Sequence, residues 1–133
     1  MKIKEVPQDG KMLIDSTLLY YAVNDEGNFE KIQSSGWEPG YHAHLNIIGN
    51  FKAMAEKAKE RIKKNLASPL EYFMYNSIRN LDDVAQCMGI SRRKVKKHLT
   101  PGGFEKLDDC MLERYATVFV TDVDTIKNFK CTL

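Results

Sequence analysis

The chain lacks both a pair of cysteines at metal-ligand spacing and any long apolar run, and each absence narrows what it can be. Cys87, Cys110 and Cys131 are widely separated. With neither Cys-x-x-Cys nor His-x-x-x-His there is no zinc pattern, and no metal is expected. Three thiols leave at least one unpaired in any monomer, which speaks against a disulfide scaffold. Cys87 and Cys110 fall beside apolar residues in helical patterns, the setting of reduced core thiols. No stretch approaches the ~20 apolar residues that span a bilayer, and the opening MKIKEVPQDG lacks the hydrophobic region of a secretion signal. A cytoplasmic protein with no membrane contact is expected.

Catalytic patterns are equally sparse. There is no Gly-rich phosphate loop and no Ser nucleophile motif. His42 and His44 flank one residue where a loop gives way to a helix, a place suited to solvation or capping rather than metal binding. Asp108 and Asp109 stand where a helix begins, so capping and the helix dipole account for them better than a catalytic carboxylate pair does. No cofactor is implied, and the chain is not expected to be an enzyme.

What is present is a core and an uneven charge. At 133 residues and 43% hydrophobic, the chain can form one compact domain, or a small domain with an extension. The net charge of +2 hides a segregation. Residues 1–51 carry four Lys/Arg and seven Asp/Glu, residues 52–106 thirteen and six, and residues 107–133 three and five. The middle of the chain is where a polyanion would dock.

Patterning suggests two parts, 1–66 and 67–133. In the first, LLYYAV (18–23) and NFEKIQ (28–33) flank the turn-rich NDEG, in which Gly27 can take positive φ, and so predict a β-hairpin. SSGWEPGYH (34–42) is read as a loop, with Trp37 anchoring the hairpin against a helix. From about 44 to 65 an apolar stripe of Leu45, Ile48, Phe51, Ala55, Ala58 and Ile62 predicts an amphipathic helix, with Lys52, Lys57, Lys59, Arg61, Lys63 and Lys64 opposite. That helix either packs on the hairpin or pairs with its copy in a homodimer. Ser68 followed by Pro69 then signals a new helix, Ser as cap and Pro in the first turn.

Residues 81–100, LDDVAQCMGISRRKVKKHLT, carry most of the functional signal. Asn80 or an adjacent Asp can cap a first helix in which Val84, Ala85 and Met88 share a face, and Gly89 can end it in the left-handed region. Ser91 can cap a second helix with five cations in six residues, where Val95 and Leu99 point inward and Arg92, Arg93, Lys96 and Lys97 share an outward arc. Two short helices joined at a tight glycine turn make a helix-turn-helix, whose second helix fits the DNA major groove. A basic helix face is often merely solvated. The turn, its glycine and the spacing of the inward residues are what set this one apart.

With Ala85, Gly89, Ile90 and Val95 in the characteristic slots, the stretch resembles the helix-turn-helix domains of the phage lambda repressor-like superfamily. The resemblance takes in 68–78 as the preceding helix, 107–119 as the fourth and 121–129 as the fifth, with TPGGF as the loop after the recognition helix. It implies a mainly α fold, a hairpin and long helix followed by a five-helix domain. Its core is expected to include Phe73, Val84, Ala85, Met88, Ile90, Val95, Leu99, Leu112, Tyr115, Ala116 and Ile126. By the family's geometry Ser91, Arg92, Arg93, Lys96 and Lys97 would face bases or nearby phosphates of double-stranded DNA, with Thr100 at the helix end. A transcriptional regulator follows by analogy. The alternative is a protein-interaction module of antitoxin-like type, presenting the hairpin and Trp37 and using the helix-turn-helix as scaffold.

Overall fold

The N-terminal hairpin forms around its turn. In the computed structural model, which describes residues 1–9 and 17–133, β1 (Leu18–Val23) pairs antiparallel with β2 (Phe29–Ser34), Val23 opposite Phe29 and Leu18 opposite Ser34. Asn24 organises the reversal: its side-chain oxygen accepts from the amides of Glu26 and Asn28 at 3.0 and 2.9 Å, and Gly27 takes φ 85°. An Asx side chain and a residue free of Cβ are what such a turn requires. Ala22 and Ser34 are fully buried, and the Ser34 hydroxyl donates to the Pro7 carbonyl while accepting from Gly36 N.

Seven α-helices follow among the described residues. The first, α1 (Glu38–Lys63), begins earlier than its apolar stripe suggests, and the expected loop at 34–42 gives way to helix from Glu38. Pro39 is compatible with a first turn, where its missing N–H has no partner to lose, and Glu38 suits the positive end of the dipole. Trp37, expected to anchor the hairpin, is 57% exposed. The stripe itself is buried at Ala55, Ala58 and Ile62, whereas Ile48 and Phe51 are half-buried and Leu45 is exposed.

By packing, the chain divides into Met1–Ile48 and Gly49–Leu133, a division that falls inside α1. The reason lies in the contacts of the second half of α1. Arg61 Nε is 3.3 Å from Glu71 Oε2, Lys59 Nζ lies 5.3 Å from the centre of the Tyr72 ring, and Phe51 and Tyr75 rings are 6.5 Å apart. Burial holds the Glu71 carboxyl above its ordinary pKa against the opposing pull of Arg61.

The larger unit continues with α2 (Pro69–Asn76), α3 (Leu81–Met88), α4 (Arg92–His98), α5 (Pro101–Glu105), α6 (Asp109–Phe119) and α7 (Val123–Thr132). One core joins Leu70, Phe73 and Met74 of α2 to Val84, Met88 and Val95, and these to Leu112, Tyr115, Phe119 and Ile126. Ala85, Ile90 and Leu99 pack against it while only partly buried. Cys87 and Cys110, expected as core thiols, are exposed, as is Cys131. Both sit on the outer arc of their helices, where apolar sequence neighbours say little about burial. Caps recur at the helix starts, with Asp108 accepting from Met111 N at 2.8 Å and Asp122 from Thr125 N at 2.7 Å. Two helices end on β-branched residues in the left-handed region, Ile78 at φ 56° and Val120 at φ 54°.

The packing generates two expectations. Val95→Asp puts an unpaired charge into a fully buried site, and is expected to cost several kcal/mol and abolish the cooperative thermal transition followed by circular dichroism. A fragment covering 49–133 is expected to melt cooperatively at a higher temperature than one covering 67–133, which loses Ile62 and the Arg61 partner of Glu71. Equal melting temperatures would show that α1 adds nothing to this unit.

Candidate nucleic-acid interface

The turn between α3 and α4 is built from local signals that agree. Asn80 and Asp83 form a reciprocal capping box, the Asn80 oxygen accepting from Asp83 N at 2.9 Å and the Asp83 carboxylate accepting from Asn80 N at 2.8 Å. At the other end Gly89 adopts φ 64°, ψ 31°, and the amides of Gly89 and Ile90 donate to the carbonyls of Gln86 and Ala85. This is the Schellman closure that glycine permits without a Cβ clash. Arg114 reaches from α6 to donate to the Met88 carbonyl, so a charged donor also satisfies the end of α3. Ser91 then caps α4, accepting from Lys94 N at 3.3 Å.

A second anchor holds the far end of α4. Ser68 stands at the N-cap position of α2, yet its hydroxyl does not cap that helix; it donates to the His98 carbonyl at 2.8 Å, and Ser68 N donates to the Leu99 carbonyl at 2.8 Å. The terminal carbonyls of α4 are therefore satisfied by a buried residue of another element, which fixes the helix at both ends.

Between these anchors Val95 is the inward residue, and the cations cover the rest of the surface. Arg92 Nη1 lies 3.1 Å from Asp82 Oδ1 of α3, with both side chains well exposed. Arg93, Lys94, Lys96 and Lys97 are exposed and make no salt bridge among the described residues. Arg93 and Lys97 lie opposite Val95, Lys96 flanks them on the Arg92 side, and Lys94 flanks them on the His98 side. Thr100 is occupied otherwise: its hydroxyl donates to the Lys97 carbonyl at 2.6 Å and accepts from Gly103 N at 3.1 Å, capping α5. Of the six residues singled out in the sequence, Arg92, Arg93, Lys96 and Lys97 thus form one cationic face, while the Ser91 and Thr100 hydroxyls serve as caps.

Comparison with protein-family models, with curated proteins and with solved structures finds no match to this chain.

Sequence reasoning missed two features here. The TPGGF stretch is helical rather than a loop, because Thr100 caps it and Pro101 is preset for a first turn. Gly103 packs so closely that a Cβ there would lie 1.8 Å from the Lys97 carbonyl oxygen. Lys94 is the other: outside the outward arc expected from the sequence, it stands four positions before His98, a spacing that aligns the two on one side of α4. His98 Nδ1 is 2.8 Å from the Tyr115 hydroxyl, a pair at the seam of α4 and α6. Burial, and then the nearby Lys94 and Lys97, hold the imidazole below its ordinary pKa, while burial pushes the fully enclosed Tyr115 phenol up to about 12. A neutral imidazole and a protonated phenol can share this hydrogen bond.

The sign of the pH dependence follows. Above pH 6.5, the ordinary value, His98 is mostly neutral in both folded and unfolded chains and contributes no slope. As the pH falls below it, the unfolded chain takes up a proton that the folded chain resists, so stability declines until the lowered native pKa is reached. Glu71, raised by burial, acts in the opposite sense toward lower pH. Thermal melts from pH 8 to 5 are expected to show a steeper loss in the native protein than in His98→Gln, the difference between the two curves isolating the imidazole. Gly103→Ala, pressed against a backbone oxygen, is expected to cost about 1–3 kcal/mol in urea titrations.

Proposed function

We propose that the chain binds double-stranded DNA through a lambda repressor-like helix-turn-helix, with α4 entering the major groove, and acts as a homodimeric transcriptional regulator in the cytoplasm. The observation that supports it most is the face of α4 itself. Arg93, Lys94, Lys96 and Lys97 stand exposed without acidic partners among the described residues, on a helix held at both ends and introduced by a left-handed glycine. Unpaired amines and guanidinium groups release counterions when they meet phosphates, which provides affinity; a guanidinium near the N-terminal end of the helix can address guanine with two hydrogen bonds, which provides discrimination. Arg93 is the better reader. Arg92 must first leave Asp82.

A second reading has its own observation. Leu19, Tyr21 and Phe29 share one face of the hairpin and are exposed, with Lys31 Nζ 5.8 Å from the centre of the Tyr21 ring. Such a face suits a protein partner, and a second copy of the chain would give two recognition helices for two half-sites.

Selection from a random duplex library is expected to enrich one motif. On that site Arg93→Ala is expected to cost about 1–3 kcal/mol and relax the preference, whereas Lys63→Ala or Lys64→Ala weakens all duplexes alike. Asp82→Asn is expected to tighten binding by freeing Arg92. No enrichment, with no binding even at low salt, would transfer the argument to the protein-interaction reading. Sedimentation of the full chain at high micromolar concentration is expected to give a dimer, and a monomer there would remove the homodimer.

A further inference from the structure

Ile90 before α4, one side of α4, Gly103 of α5, the segment after α5 and Met111 of α6 wall a cleft of about 290 Å³. Its partly buried surface is apolar, from Ile90, Leu107 and Met111, and its exposed rim carries three amines, Lys94, Lys97 and Lys106. No carboxylate is among the described residues that line it. Three like charges around an apolar hollow repel one another and have nothing within the cleft to neutralise them. The size lies just under the range for drug-sized ligand sites, roughly 300–1,000 Å³, which suits a small ligand, and the plan is the usual one, an apolar floor with a few polar groups that fix orientation.

We propose that this cleft binds a small amphipathic anion, a single carboxylate or phosphate head on an apolar body about the size of one aromatic ring. The head would lie among Lys94, Lys97 and Lys106, and the body on Ile90, Leu107 and Met111. A phosphodiester of duplex DNA fits less well, since it has no apolar part to cover the floor. Gly103 lines the same wall, and its missing Cβ lets α5 close onto the Lys97 carbonyl.

His98 opens onto the cleft beneath the amines, with Lys94 and Lys97 on its own helix, Lys106 from the segment after α5 and the Tyr115 hydroxyl from α6 around it. An anion seated there offsets the repulsion from the lysines, so the imidazole would take up its proton at higher pH than in the free protein. Lys97 belongs to both the cleft rim and the outward face of α4. On the DNA reading above, the anion would therefore weaken duplex binding, although its own binding requires no DNA.

The test is a titration of the full-length protein with phenyl phosphate, followed by NMR of the Ile90 and Met111 methyl groups and the His98 ring. Saturable methyl shifts are expected, at lower concentration than with inorganic phosphate or benzyl alcohol, together with a rise in the His98 pKa. Lys106→Gln is expected to weaken phenyl phosphate about fivefold, and Lys63→Gln to leave it unchanged. Failure to saturate, equal response to inorganic phosphate, or indifference to Lys106→Gln would overturn the proposal. So would methyl groups that respond to duplex DNA and not to phenyl phosphate, which would assign the cleft to the DNA backbone. Because the readout contains no DNA in its principal arm, its failure is distinguishable from failure of the DNA reading.

Discussion

Helices of seven and eight residues do not persist in water by themselves, and α4 and α3 have those lengths. The cationic face depends on the burial of Val84, Met88 and Val95 against Leu112, Tyr115 and Ile126. Burial of apolar surface, at about 25 cal/mol per Å² removed from water, is the term that opposes the ordering cost of each short helix, and the helices share one core to supply it. The polar contacts do something else. Arg114 on the Met88 carbonyl and Ser68 on the His98 carbonyl leave few unsatisfied ends, and so specify where α4 lies rather than how strongly it is held.

That division also explains what could be read in advance. Turns and caps are settled within a few residues, so NDEG with Gly27, the Asn80 cap, Gly89 and Ser91 were legible from the sequence, and so was the inward spacing of Val84, Met88 and Val95. Features that depend on what a segment meets in space were not. The exposure of Trp37 and Cys87 depends on neighbours far along the chain. So does the hydroxyl of Ser68, whose partner is thirty residues away. The helical TPGGF lay between: its cap and proline were visible, but two consecutive glycines argue for a loop until Gly103 is seen against Lys97. Of the candidate face, the residue types and their arc were legible. The pairing of Arg92 with Asp82 and the use of Thr100 as a cap were not.

Charge at this face is organised by position more than by amount. Asp82 sits across the turn from the start of α4 and pairs with Arg92, while the remaining cations of α4 make no salt bridge among the described residues. The ion pair is exposed on both sides and therefore contributes little to stability. It orients one guanidinium along α3 and leaves Arg93 as the first unencumbered one. Deeper in, the same lysines act on His98, so one cluster of amines shapes both an outer surface and the titration of an inner group.

Ile78 and Val120 carry a different implication. Both hold a β-branched side chain in the left-handed region, where an L-residue is disfavoured by about 1–2 kcal/mol, and Val120 does so while 89% exposed to solvent. Neither position returns that energy through burial. The chain thus lies below the stability its own backbone could support, as expected when selection asks only for enough. Sequences drifting on this fold have room to accept costly changes elsewhere, provided that helix ends such as these are relaxed first.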